Sequence, residues 1–384
     1  MSTMDKLKSP YYIVYEDKIR NNLKLIKEVS ARSGAEIIMA FKANALWKTF
    51  HIFREFGVKS TASSLNEMML ANDELHSLAH TYCPAYTDGT IDKYIEGSSH
   101  ITFNSLHQFN RFYSRVNQYN LSGNHTVSCG LRINPEVSVV DTDIYNPCIK
   151  GSRFGVIIDE MPETLPDGIE GFHFHALCES TSYDLEKVLE AVESKFGKYL
   201  DSLKWINMGG GHLMTRTDYN TDHLVKILQE FKRRHPNISV ILEPGSAFTW
   251  QTGDLVATIV DIVNNGGIKT LITDVSFACH MPDTLEMPYK PAIQSAMAEV
   301  DTKMPTYRIG GNSCLSCDFI GDWSFEHELK VGEQLVFLDM NHYTTVKTNM
   351  FNGIQHPSIY LKESDGNIKL LREFNYLDYK NRMS

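Results

Sequence analysis

The chain reads as an α/β protein: a (β/α)8 TIM barrel over residues 17–254, then an antiparallel β-barrel or sandwich domain over 255–384, which the N-terminal strand of 1–16 is expected to join. Three observations predict this. Between Glu36 and about Ser246 short apolar runs alternate with amphipathic stretches, the pattern of a parallel sheet built from βα units. Eight such units in roughly 210–250 residues match a TIM barrel. After about Leu255 the pattern changes to β-rich runs separated by turn signals. At 384 residues the chain exceeds one ordinary domain and suits two.

Tyr11–Tyr15 is a short β run placed before the first long helical pattern, Asp17–Ser33. The barrel strands follow as Ile37–Phe41, Ser60–Ser63, Thr81–Tyr86, Ile101–Asn104, Gly130–Asn134, Gly171–Ala176, Trp205–Met208 and Val240–Glu243. Helical patterns lie between them at Ser105–Asn120, Tyr183–Leu200 and Thr221–His235; Ser105 suits an N-cap, and Pro236 stops the last of them. The second domain offers strands at Val256–Val263, Lys269–Ser276, Tyr307–Ile309, Gln334–Asp339, His342–Lys347 and Ile359–Lys362, with Asp365-Gly366 as a hairpin turn.

Composition narrows the function. The chain is 42% hydrophobic and 22% charged with mean hydropathy -0.27, and no apolar run approaches the ~20 residues of a membrane helix. Met1–Lys8 lacks the apolar core of a secretory signal, so a cytoplasmic location is expected. Seven scattered cysteines, an odd number, fit reduced thiols better than a disulfide framework. A net charge of -10 disfavours nucleic acid as a partner and fits a solubility role.

TIM-barrel chemistry gathers at the C-terminal ends of the strands, so those residues are the candidates. The first strand runs into Lys42, the fifth carries Arg132 and Asn134, and the sixth carries His173 and His175. The seventh ends in Gly209-Gly210-Gly211 and the eighth in Glu243-Pro244-Gly245-Ser246. A lysine closing an apolar strand is either a solvated end or, where desolvated, a neutral amine able to attack an aldehyde. Glycines after strands seven and eight are tight loops or a cradle for phosphate. Glu243 closes Val240-Ile241-Leu242, where a carboxylate either pairs with Arg132 or meets a protonated pyridine nitrogen and keeps that ring an electron sink. His175 can stack on a ring; with His173 it also forms a His-x-His pair, a zinc spacing that lacks evident further ligands. Cys314-Leu315-Ser316-Cys317, inside the glycine-led turn Gly310–Asp318, reads as a structural loop more readily than as a redox or metal pair.

Together these residues resemble the fold-type III pyridoxal-phosphate decarboxylases, the family of ornithine and diaminopimelate decarboxylases, whose barrel is of the alanine-racemase type. The resemblance implies pyridoxal 5'-phosphate as cofactor, with Lys42 as its Schiff-base lysine, His175 against the ring and Glu243 at the pyridine nitrogen. It also implies a phosphate held at Gly209–Gly211 and Gly245, with Arg132 and Tyr343 in the same cofactor-binding set. Cys314 matches a cysteine that a neighbouring subunit contributes as proton donor, which implies a homodimer with shared sites. Glu243 separates the chain from alanine racemase, where an arginine meets the nitrogen.

Within the family the likeness is greatest to the branch acting on carboxynorspermidine and carboxyspermidine. It is carried by Ser9-Pro10-Tyr11-Tyr12, Leu285-Glu286-Met287-Pro288-Tyr289 and Cys314-Leu315-Ser316-Cys317-Asp318. Leu315 stands where ornithine and diaminopimelate decarboxylases place an acid, which argues against both. A polyamine-like amino acid needs carboxylates at graded distances from the ring; Asp283, Glu286 and Asp318 are the available acids, with Ser246 as a further substrate contact. Ser246 stands where relatives often carry Arg or Glu, and Cys178 where a phosphate-binding serine is usual. The alternatives are a decarboxylase of ornithine, diaminopimelate or arginine, a metal-dependent barrel hydrolase using His173 and His175, and an inactive relative that regulates a homologue. The inactive relative fits poorly with Lys42, Glu243 and Cys314 all present.

Overall fold

The computed structural model describes residues 7–122, 124–140, 143–287 and 289–384. Met1–Lys6, and Pro288 of the 285–289 stretch, lie outside the described residues. The chain divides into two compact units, 21–248 and 1–20 with 249–384.

The first unit is the barrel. Its strands are β2 (Glu36–Ile37), β3 (Met39–Ala40), β4 (Ser60–Ala62), β5 (Ala79–Tyr82), β6 (Ser98–Phe103), β7 (Ser128–Arg132), β8 (Ile169–His173), β9 (Trp205–Asn207) and β10 (Ser239–Leu242). They run parallel in the order β2-β10-β9-β8-β7-β6-β5-β4-β3. β2 and β3 are two halves of one strand. Ile38 N–H donates to Leu242 O at 2.9 Å and Met39 N–H to Lys59 O at 2.9 Å, so alternate amides reach opposite neighbours and close an eight-membered ring. Hydrogen-bonded pairing ends one to four residues sooner than the apolar runs suggest, which leaves Lys42, Asn134, His175 and Glu243 in the loops just past their strands.

Capping and charge set the helices between them. Ser182–Leu200 opens on a capping box of Thr181 and Asp184. Thr221–Arg234 opens on Asn220 and closes on Lys232, Arg233 and Arg234, cations that suit a helix C-terminus. Inside the barrel the Trp205 ring lies against the backbones of β7 and β8 and donates its indole N–H to Ser128 Oγ at 2.8 Å. Glycine makes that possible. A Cβ at Gly171 would fall 2.0 Å from Trp205 Cδ2, and one at Gly130 would fall 2.2 Å from Cη2. Among the described residues no helix is long and apolar enough to cross a membrane.

The second unit is a nine-stranded mixed sheet. It comprises β1 (Tyr11–Tyr15), β11 (Gly253–Asn265), β12 (Ile268–Thr273), β13 (Ala296–Met297), β14 (Thr306–Gly310), β15 (Phe319–Phe325), β16 (Gln334–Phe337), β17 (Ser358–Lys362) and β18 (Ile368–Arg372). Most pairs are antiparallel, but β1 pairs parallel with β17 and β12 with β14. β1 lies between β11 and β17, while a connection of some thirty residues carries the chain from β12 back to a parallel β14. Tyr12, Leu255, Ile259, Trp323 and Phe337 belong to its core. Gly366 takes φ +91° in the turn between β17 and β18, as a tight hairpin needs.

One expected strand is corrected. His342–Lys347 is not extended: Tyr343 takes φ 55° and Thr344–Lys347 forms a single helical turn. The β-branched Thr344-Thr345-Val346 favours a strand locally, but Tyr343 bends the chain and Thr345 Oγ1 donates back to Asn341 O at 2.9 Å. β15, β13 and β18 were not expected from the apolar pattern; in β15 Gly321 and Asp322 break the alternation.

Because the space above Gly171 is filled by Trp205, Gly171→Ala should destabilise the barrel by about 1–3 kcal/mol through overpacking. Urea unfolding read at equilibrium checks this, and an unchanged midpoint would show that Trp205 yields freely.

Candidate active site

Lys42 sits in the turn that follows β3, where Ala43 N–H donates to Ala40 O at 3.0 Å. Phe41 and Ala43 on either side are fully buried, whereas the Lys42 side chain opens to solvent. Partial desolvation, helped by Arg132, holds the Lys42 ammonium below the usual lysine range, while Glu243 pulls the other way. Arg132, the last residue of β7, is buried with its guanidinium 4.6 Å from the Tyr82 ring centre and 4.4 Å from that of Phe154. Such stacking favours a delocalised cation in a half-dry position.

Glu243, just past β10, is 9% exposed. Its partners are not Arg132. Asn207 Nδ2 donates to Oε1 at 2.6 Å, and His173 Nε2 lies 3.3 Å from Oε2. Burial pushes the carboxyl upward, yet His173, Asn207 and the nearby His80 outweigh it and bring Glu243 down to about 2. His173 is held below its usual value by burial, with Glu243 opposing, and its ring stacks on Tyr82 with centres 5.1 Å apart and planes 25° apart. His173 therefore serves the carboxylate, for which sequence reasoning offered Arg132 as the alternative partner while reading His173 as half of a zinc-spaced pair.

The glycine turn after β9 is a point of close approach. Gly209 takes φ +69°, and a Cβ there would fall 2.4 Å from Phe174 O; at Gly210 it would fall 2.7 Å from Glu243 O. Gly211, at φ +93°, would strike Leu177. Two of the turn's amides are engaged inside the protein: Gly209 N–H donates to Asn207 Oδ1 at 2.9 Å, and Gly210 N–H donates to His175 Nδ1 at 3.0 Å. These two glycines accordingly permit close backbone packing and set orientation more than they offer free donors. His175 is half-buried, and burial together with Lys42 and Arg132 drives its pKa well below the ordinary value, so the ring is neutral with its proton on Nε2.

Gly245 passes so close to Ala43 that a Cβ would fall 2.5 Å from the alanine methyl, and Ser246 is buried at the start of a short helix. Cys178 is exposed beside Ser180, and its thiol is pushed up by burial and by Glu179. Sequence reasoning missed Asn207, Tyr82 and Phe154. Asn207 is a neutral strand residue with no motif around it, so nothing in the sequence signals it.

The remaining candidates belong to the sheet unit. Cys314 is exposed, with its N–H donating to Asn352 Oδ1 at 3.0 Å. Asp318 is corrected as a substrate acid: it is 5% exposed, Oδ1 accepts from Phe277 N–H at 2.7 Å and Ala278 N–H at 3.1 Å, and Oδ2 accepts from Ser313 N–H at 3.0 Å. Its work is to pin the cysteine loop. Asp283 and Glu286 are joined by Lys347, whose Nζ lies 3.1 Å from Asp283 Oδ1 and also pairs with Glu286. Tyr343 is half-buried at the bend described above.

Known proteins share this arrangement of sequence and fold. The family described as pyridoxal-dependent decarboxylase, C-terminal sheet domain, matches residues 13–341. A carboxyaminopropylagmatine decarboxylase of Synechocystis sp. is 43% identical, covering 99% of this chain and 96% of its own. A carboxynorspermidine/carboxyspermidine decarboxylase of Campylobacter jejuni is 38% identical over 98% of this chain and 99% of its own. The crystal structure of carboxynorspermidine decarboxylase complexed with norspermidine, also from Campylobacter jejuni, superposes with a TM-score of 0.89 at 37% identity, covering 98% of this chain and all of that one.

His212, which follows the glycine turn, is 1% exposed, and burial lowers it from 6.5 to about 4 against the backbone of Met208 and Gly209. The unfolded chain takes up this proton first, so the contribution is complete above pH ~6.5 and declines by roughly 3 kcal/mol as pH falls toward 4. His212→Asn should flatten the loss of urea stability across that window by about one bound proton. An identical slope in both proteins would contradict it.

Proposed function

We propose that this chain, which belongs to the pyridoxal-dependent decarboxylase family, removes the carboxylate of carboxynorspermidine and/or carboxyspermidine to release norspermidine or spermidine and CO2. The observation that carries the reading is Glu243, an anion kept ionised inside the barrel mouth by Asn207 and His173. The substrate branch is supported by the two Campylobacter jejuni relatives.

The barrel residues fit pyridoxal 5'-phosphate. The Gly210 backbone approaches the Glu243 carbonyl more closely than a Cβ would allow, which brings the turn against the carboxylate, and the Lys42 ammonium is held below the usual lysine range. Lys42, Arg132, His175, Gly209, Gly210, Gly211, Glu243, Gly245 and Tyr343 are the residues that would hold it. When bound, the cofactor supplies an aldehyde carbon that amines attack and a ring that accepts the electron pair left as CO2 departs.

The chain's own residues do the rest. Lys42 supplies the amine, and desolvation keeps it nucleophilic. Glu243 holds a proton at the ring nitrogen, because an anion this well solvated by donors does not take that proton itself. His175, fixed by Gly210 N–H, presents a neutral face to the ring. Cys314 returns a proton to the substrate carbon; by this reading it serves the barrel of a second copy, so the enzyme is a homodimer. A placed acid of that kind contributes about 10²–10⁴-fold. Asp283 and Glu286 receive the distal ammonium, and Lys347, a cation already bound across both, marks them as a cation site that the substrate would have to contest. The seven free cysteines fit a cytoplasmic location.

The Synechocystis relative favours a second substrate of the same class, carboxyaminopropylagmatine, whose far end is a guanidinium instead of an ammonium. Both end in a cation suited to two carboxylates.

Protein loaded with pyridoxal phosphate, assayed for CO2 on carboxynorspermidine, carboxyspermidine, carboxyaminopropylagmatine, ornithine and diaminopimelate, should favour one of the first three by about 100-fold or more in kcat/KM. Borohydride should label Lys42. Turnover confined to ornithine or diaminopimelate, or a colourless protein that borohydride does not label, would overturn the reading.

A further inference from the structure

Asn207 occupies a position that few side chains can fill. It is 3% exposed, and both ends of its amide are used: Nδ2 donates to Glu243 Oε1 at 2.6 Å while Oδ1 accepts from Gly209 N–H at 2.9 Å. The flat amide carries one donor and one acceptor in a fixed plane, so satisfying both at once sets the carboxylate relative to the turn. The turn is itself tied to Glu243 by a second route, because Glu243 N–H donates to Gly209 O at 2.7 Å. Gly209, Asn207 and Glu243 thus form a closed ring of three hydrogen bonds across the ends of β9 and β10. The next amide, of Gly210, fixes His175 by its Nδ1.

We propose that Asn207 is a positioning residue for decarboxylation: it locks the Glu243 carboxylate to the glycine turn as an oriented, unprotonated acceptor for the cofactor's ring nitrogen. The proposal rests on the reading that Glu243 meets that nitrogen. Neither of the nearest polar substitutes would do the same. An aspartate keeps the acceptor for Gly209 but sets a second carboxylate against Glu243, and two carboxylates at that distance hold a proton between them. An alanine leaves Gly209 N–H and one carboxylate oxygen without their partner.

The charged groups facing Glu243 are few and come from several strands. His173 on β8 contacts it directly, while His80 on β5, His100 on β6 and Lys42 after β3 act through space. The three imidazoles are held below their usual pKa, chiefly by burial. The wild-type cofactor spectrum against pH is therefore the baseline from which any titration introduced at Asn207 is read.

The test is the visible absorption of the bound cofactor against pH, recorded on holoenzyme without substrate, together with kcat and KM on the preferred substrate. Asn207→Asp should add a titration between about pH 5 and 8 to the wild-type profile. Asn207→Ala should lower kcat about tenfold or more, the equivalent of one pKa unit, with KM within about threefold. Glu243→Gln serves as the reference. If it changes the spectrum and both Asn207 variants leave spectrum and kcat as in wild type, Asn207 has no positioning role and the inference fails alone. If Glu243→Gln also leaves the spectrum unchanged, the assignment of Glu243 to the ring nitrogen fails with it. A loss of thermal stability in Asn207→Ala with spectrum and kcat intact would likewise overturn the proposal. Should Asn207→Asp not fold, the kcat and KM of Asn207→Ala decide it.

Discussion

Glu243 is a carboxylate shut inside a barrel, and a buried anion must be met by donors or give up its charge. Here the donors come from neighbouring strands: Asn207 at the end of β9 and His173 at the end of β8. Holding them at 2.6 and 3.3 Å requires that β8, β9 and β10 keep register to their C-terminal ends, where His173 pairs with Asn207 and Asn207 with Ile241. The glycine turn supplies that control. Its left-handed Gly209 brings the backbone close enough to return one amide to Asn207, and Gly210 returns another to His175. The electrostatic state of the mouth follows: one ionised carboxylate, imidazoles and a lysine held below their usual pKa, and a stacked arginine.

Much of this was legible in the sequence, for physical reasons. Apolar runs of strand length alternating with helical patterns report a parallel barrel, and residues at the strand ends are where such barrels expose chemistry. Lys42, Glu243 and the three glycines were reachable by that rule. The rule cannot say which polar group meets which. Arg132 was the alternative sequence partner for Glu243, and the alignment of β8, β9 and β10 gives the carboxylate to His173 and Asn207. Asn207, a neutral residue on a three-residue strand, carries no charge or motif to attract notice.

The sheet unit was harder to read. Thr344-Thr345-Val346 has strand propensity, yet Tyr343 at φ 55° turns it into helix, since a single positive φ outweighs three weak preferences. Asp318 looked like a free acid beside two cysteines, but three backbone amides claim it. Composition does not distinguish a carboxylate that caps backbone from one that awaits a cation. Asp283 and Glu286 instead pair with a side chain, Lys347, which bridges them and balances part of their charge.

The central claim is that the barrel keeps Glu243 as a bare carboxylate facing a protonated ring nitrogen. Neutron diffraction from the deuterated holoenzyme near neutral pH locates each proton directly. The account predicts deuterium on the cofactor's ring nitrogen and on His175 Nε2, with none on either Glu243 oxygen; deuterium on Glu243 and a bare ring nitrogen would contradict it.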